Sequence, residues 1–170
     1  MIAAQADHVS TDDDRGAVRE SVRVLCHEYD SIRAPITGML PGAERTRKME
    51  VVASKMRGLA LSAHPFLSEL IQSQSAGERL AAVSTLEAIP EVSYLPWLAE
   101  RLGSEKPFVG YHAALGLLSA ARSLDVEDLP NVQAAVDAAR RGARRLRRDT
   151  DRETVLGYTE DELLRRRAQS

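Results

Sequence analysis

Three observations predict an all-α fold of about eight helices for this 170-residue chain. Apolar residues recur three and four apart along most of its length, the period of a helix face. Alanine and leucine abound while aromatic residues make up only 4%, a choice of small and unbranched side chains that suits helix-on-helix packing rather than β-sheet. Proline, glycine and serine interrupt the pattern at intervals that suit helical hairpins. Each helical stretch is too short and too one-sided to stand alone, so the hairpins are expected to stack, with residues 79–121 at their centre.

Length and composition, with 44% hydrophobic and 28% charged residues, point to a single globular domain over 15–170. Residues 1–14 have no apolar period and end in Asp12-Asp13-Asp14, so a disordered acidic tail is expected there. No run approaches about 18 apolar residues, and the N-terminus lacks a basic start and an apolar core, so neither a membrane span, a membrane partner nor a secretory signal is expected. The single cysteine, Cys26, cannot form an internal disulfide. A cytoplasmic protein is the expectation. Arginine outnumbers lysine 20 to 3, which suggests a GC-rich, bacterial genome. Residues 1–139 carry 13 basic and 19 acidic side chains, whereas residues 140–170 carry 10 and 6. The positive charge is therefore concentrated at the C-terminal end.

The first helix is expected from about Arg15 to Arg33, with Val18, Val22, Leu25, Cys26, Tyr29 and Ile32 on one face; the bond to Pro35 ends it. After a Pro/Gly loop at 34–43, a second helix runs from about Glu44 to Ala60 with Met49, Val52, Ala53, Met56, Leu59 and Ala60 inward. A short third helix starts at His64-Pro65 and buries Phe66, Leu67, Leu70 and Ile71. Ser75 and Glu78 form a capping box for a fourth helix, 76–89, with Leu80, Val83, Leu86 and Ile89 inward. The fifth, from about Ser93 to Leu102, turns Leu95, Leu98 and Leu102 inward, carries Trp97 as a packing residue, and is C-capped by Gly103. Ser104 caps the sixth. That helix has Val109, Ala113, Leu117 and Ala120 along one side and Ala114, Leu118 and Ala121 along another, the mark of a central helix. The seventh runs from about Leu129 to Arg148 with Val132, Val136, Ala139, Ala143 and Leu146 inward and Gly142 as a weak point. Thr150 with Glu153 and Thr159 with Glu162 are further capping boxes, and the last helix, about 160–168, is short, charged and expected to fray.

Leu80-Ala81-Ala82 and His112-Ala113-Ala114 align at an offset of 32 residues, and Leu86 and Leu118 keep it. An internal period of this size marks a helical repeat, here three hairpins at about 44–74, 76–103 and 105–148. Within this region Leu98, Leu102, Glu105, Val109, Ala113, Ala114, Leu117 and Leu118 resemble a HEAT repeat junction. There a helix of spaced leucines is followed by an acidic turn, then valine, Ala-Ala and leucine. Gly110 stands where HEAT units often carry an arginine, a departure that argues against a regular charge ladder. The resemblance implies HEAT-like hairpins stacked in a short right-handed solenoid, used as an interaction scaffold. The chain also resembles the small helical adaptor modules attached to bacterial signalling and defence proteins.

No catalytic, cofactor-binding or metal-binding constellation is legible. His8, His27, His64 and His112 have no ligand spacing to one another or to Cys26. Adjacent Cys26 and His27 point about 100° apart on a helix, which prevents a close dyad. The candidate partner-binding residues are two basic clusters. Arg140, Arg141, Arg144, Arg145, Arg147 and Arg148 cover the side and back of the seventh helix. Arg45, Arg47 and Lys48 lie in the first turn of the second helix, where the helix dipole disfavours them unless something acidic meets them. The expected function is a non-catalytic protein–protein scaffold or adaptor, with an acidic protein surface as partner and self-association open. The alternative is a nucleic-acid-binding helical repeat that uses Arg140–Arg148 along a phosphate backbone. A sequence pI near 6.1 and the lack of an aromatic platform weigh against that alternative.

Overall fold

The computed structural model of the chain describes the backbone of residues 2–143 and 150–169, and side chains within 13–142 and 151–169. Its helices are α1 (Ile2–Arg33), α2 (Ala43–Gly58), α3 (Ala60–Ala63), α4 (Leu67–Leu70), α5 (Ala76–Ala88), α6 (Leu95–Ser104), α7 (Pro107–Ser123), α8 (Leu129–Ala143) and α9 (Thr150–Ala168). Short 3-10 turns at His64–Phe66, Val92–Tyr94 and Val126–Asp128 lead into α4, α6 and α8. The described residues are all-helical, without a strand. The chain divides into two compact units, one ending at Thr85 and the other beginning at Leu86, so that α5 spans the division.

In the first unit α1 packs on α2 and α3. Of the predicted faces, Val22, Leu25, Cys26, Tyr29 and Ile32 of α1 are buried, as are Met49, Val52, Ala53 and Met56 of α2, while Val18 and Leu59 are half-buried. Burying a large apolar side chain in this way contributes about 1.5–3 kcal/mol relative to leaving it in water. α1 begins at Ile2 rather than near Arg15, and no proline or glycine precedes Gly16 to break it. The stretch after α2 is more broken than its apolar period suggests. Gly58 ends α2, and Pro65 falls in a 3-10 turn between the two four-residue helices α3 and α4. Leu67 and Leu70 still reach the core.

The N-terminus of α5 is tied to α1. The Ser75 hydroxyl accepts the Glu78 amide at 3.1 Å, as the capping reading expected. It also donates to Asp30 Oδ2 at 2.6 Å, while Asp30 Oδ1 accepts the Gly77 amide at 2.8 Å. A carboxylate at a helix N-terminus satisfies orphaned amides and meets the positive end of the dipole. A Cβ at Gly77 would lie 2.3 Å from the Cys26 carbonyl oxygen, so only glycine admits this crossing. Residues 80–86 of α5 are buried on every face, Ser84 and Thr85 included, where the period marked only Leu80, Val83 and Leu86.

In the second unit α6 packs on α7 and α8, and α7 packs on α9. All seven α7 residues expected on its two inward sides are buried. Gly103 does not end α6; the helix runs on to Ser104. A Cβ at Gly103 would lie 3.4 Å from the Gly142 carbonyl carbon. The two glycines face each other across α6 and α8 at distances where an added methyl group would make an ordinary contact. Ser104 donates to the Glu100 carbonyl at 2.9 Å, and the residue before α7 is Lys106, without a side-chain cap. Trp97 is half-buried, with the Arg101 guanidinium 5.1 Å from its ring centroid.

The C-terminal helix departs furthest from expectation. α9 is a 19-residue helix, not a short fraying end at 160–168. Arg152, Val155, Leu156, Thr159 and Leu163 are its buried face. Thr159 lies inside it, donating to the Val155 carbonyl at 2.9 Å, and is no cap. An arginine and a threonine on the inward stripe hid the period.

Candidate functional site: an open groove, an apolar loop tip and a basic C-terminal region

An open groove of about 530 Å³ lies along α1 and α2, lined by Glu20, Ser21, Val24, Leu25, Lys55, Gly58 and Leu59. Its walls are mainly apolar, and Val24 is 55% exposed. A Cβ at Gly58 would meet nothing within 4 Å, so the glycine leaves one wall low. Glu20 stands on the α1 side, its carboxyl held below the usual carboxylate range by hydrogen bonding to Arg23. Lys55 stands on the α2 side. The sequence reading placed no site here, because Val24 and Leu59 are single apolar residues whose exposure depends on the tertiary fold.

The loop between α1 and α2 is the second feature. Ile36 is 95% and Leu40 86% exposed. The loop is held in one shape: the Gly38 amide donates to the Ala34 carbonyl at 3.0 Å and the Met39 amide to the Ile32 carbonyl at 2.9 Å. A Cβ at Gly38 would lie 2.3 Å from the Ala34 carbonyl oxygen, so the turn requires glycine. Arg45 is half-buried at its base, with Nη1 donating to the Met39 carbonyl at 3.4 Å. Arg47 and Lys48 are exposed. Of the predicted trio only Arg45 lies in the first turn of α2, beside Glu44, because the helix begins at Ala43.

In the C-terminal region the structure places Arg140 and Arg141 on α8, while Arg144, Arg145, Arg147 and Arg148 lie outside the described residues. Arg141 is exposed. Arg140 is engaged inward: Nε and Nη2 donate to the two carboxylate oxygens of Glu160 at 2.7 and 2.9 Å, and Nη1 to Glu153 at 3.1 Å. Hydrogen bonding to Glu160 raises its pKa further. Two arginines of α9 serve other helices. Arg166 Nη1 donates to the carbonyls of Ala121 at 2.9 Å and Leu124 at 2.6 Å, at the end of α7. Arg152, 3% exposed, donates to the Leu102 carbonyl near the end of α6. Both supply donors to carbonyls left over at a helix C-terminus, where cations are favoured. The Arg152 guanidinium runs alongside Gly110, where an added Cβ would lie 2.7 Å from Nη1. Gly110 thus admits an arginine from another helix.

Two reactive side chains lie in surroundings that suppress their chemistry. His112 Nδ1 is 3.0 Å from Glu87 Oε2, but the imidazole is only 1% exposed and packs against the rings of Phe108 and Tyr111. Cys26 is buried, and burial first, then the charges of Glu78 and Asp30, push its thiol up to about 12. A thiol so shifted carries almost no nucleophilic thiolate near neutrality. Among the described residues no three His, Cys, Asp or Glu side chains cluster so as to hold a metal ion, and no helix is long and apolar enough to cross a membrane.

Comparison of the chain with protein-family models, characterised proteins and solved structures finds no match.

Proposed function

We propose that this protein is a non-catalytic protein–protein interaction scaffold, an adaptor whose first unit receives a helical segment of its partner in the α1–α2 groove. The groove is the observation that carries this reading. It is open and mostly apolar, with one acid and one base on its sides, which suits an amphipathic helix laid between two helices. Among the described residues, five of the eight large exposed hydrophobic side chains, Val24, Ile36, Leu40, Val51 and Leu61, fall within 24–61, and apolar exposure of this kind marks interaction surfaces. In the second unit, the packing of α6 on α8 and of α7 on α9 supports a HEAT-like right-handed stack. Within the Arg140–Arg148 face, Arg140 is already paired with Glu153 and Glu160 of α9, which weighs against its service to nucleic acid. A role in bacterial signalling or defence belongs to the same proposal and rests on the resemblance, while a cytoplasmic location rests on the N-terminal sequence and the single cysteine.

The test places a photo-crosslinking residue at Ser21 and, as a control, at exposed Asp161 on α9. A discrete partner is expected from Ser21 only, lost on Val24→Glu with helicity unchanged. Equal cross-linking from both positions, or indifference to Val24→Glu, sinks the proposal.

A further inference from the structure

The loop between α1 and α2 projects two aliphatic side chains into solvent, at 95% exposure for Ile36 and 86% for Leu40. Two nearly fully exposed aliphatic side chains on one loop form an apolar tip of the kind that marks contact with a protein or a membrane. Their positions are fixed. Backbone hydrogen bonds close the turn at Ala34–Gly38 and Ile32–Met39, Gly38 admits no side chain, and prolines stand at 35 and 41. The charge within the loop itself has one sign. Residues 31–43 contain no acidic side chain. Arg33 and Arg45 are half-buried at the base, and Arg47 and Lys48 are exposed just beyond it. The nearest preceding acid, Asp30, is engaged at the N-terminus of α5, which leaves Glu44 as the one acid between Asp30 and Lys48.

We propose that this tip docks on an anionic lipid surface, with Ile36 and Leu40 entering the headgroup–acyl boundary and Arg47 and Lys48 meeting the lipid phosphates. A bilayer fits better than an acidic protein because the apolar contact is two projecting side chains, well short of the ~800 Å² per partner that a stable protein interface needs. A membrane needs no pocket: shallow insertion of a few apolar groups adds to the attraction of nearby cations. The absence of a spanning helix does not bear on such peripheral contact.

The experiment is co-sedimentation of the full chain with vesicles of phosphatidylserine and phosphatidylcholine in equal parts, against phosphatidylcholine alone, at rising salt. Salt-sensitive binding to the anionic vesicles only is expected. Arg47→Glu/Lys48→Glu should weaken it at least twentyfold, since each cation near the surface contributes about fivefold. Ile36→Ser/Leu40→Ser should weaken it about tenfold or more without loss of helicity, as neither side chain supports the core. No binding to the anionic vesicles, or undiminished binding by Ile36→Ser/Leu40→Ser, overturns the proposal. So does tip-dependent capture of polyglutamate by a chain that ignores vesicles, which assigns the tip to an acidic protein instead. Val24→Glu, the groove variant, should bind vesicles normally, which separates this outcome from that of the groove.

Discussion

The two units distribute awkward side chains differently. The first puts apolar groups outside, with Val24, Ile36, Leu40, Val51 and Leu61 exposed. The second exposes three such groups, Val126, Tyr158 and Leu164, but also buries a cation and an imidazole, with Arg152 and His112 almost fully enclosed. An exposed aliphatic group costs little in the folded state and is available to a partner, whereas a buried cation must be satisfied internally or it destabilises the fold. The difference separates the roles of the two halves. Substitutions at polar residues of the second unit should change stability, and substitutions at apolar surface residues of the first should change binding alone.

The largest effect tests whether the first unit is as tightly specified inside as the second. Gly77→Ala forces a methyl group against the Cys26 carbonyl, and neither backbone can yield cheaply. A loss of about 3 kcal/mol or more is expected in urea unfolding; a neutral variant would mean that the α1–α5 crossing is looser than described. Next comes the buried cation. Arg152→Ala should cost about 2–3 kcal/mol, because it strips a charged donor from the Leu102 carbonyl and leaves a cavity. Gly110→Ala should cost about 1–2 kcal/mol by displacing that guanidinium. The two should be non-additive, Gly110→Ala costing little once Arg152 is already alanine. Additivity would show that Gly110 matters for some other reason. Arg140→Ala should cost no more than about 1 kcal/mol, since its pairs with Glu153 and Glu160 are partly exposed.

The remaining effect depends on pH and concerns Cys26. Its folded pKa, near 12, lies above an unfolded value of about 8.5, so the folded chain holds the thiol proton more tightly. The stability this contributes is complete below about pH 8.5 and is lost as pH rises toward 12. The stability gap between the native chain and Cys26→Ala should therefore narrow over that window. Rapid native-state alkylation at neutral pH would contradict the buried thiol.

Much of the fold is legible in the sequence because apolar period and helix geometry share a length scale. α6 and α7 bury every residue their spacing marks, and α1 and α2 all but Val18 and Leu59, which are half-buried. The misses share one physical cause: a side chain whose role depends on a distant partner carries no local signal. Arg152 reads as surface charge until Gly110 is brought alongside. Gly103 reads as a helix end, yet α6 runs past it to Ser104 where it faces Gly142 of α8. Asp30 reads as an ordinary polar residue at the end of α1 until α5 presents its amides. The basic clusters were visible as charge. Composition did not show that Arg140 is committed to α9, nor that Ile36 and Leu40 stand in solvent.

Trp97 and Cys26 have a practical consequence. The chain's only tryptophan lies in the second unit, half-buried under Arg101, and its only cysteine in the core of the first. Each half therefore carries a single built-in reporter. Indole emission follows the melting of one, and the appearance of a titratable thiol follows the other. Unlabelled protein is enough to ask whether the two transitions coincide, the standard test of two-state cooperativity.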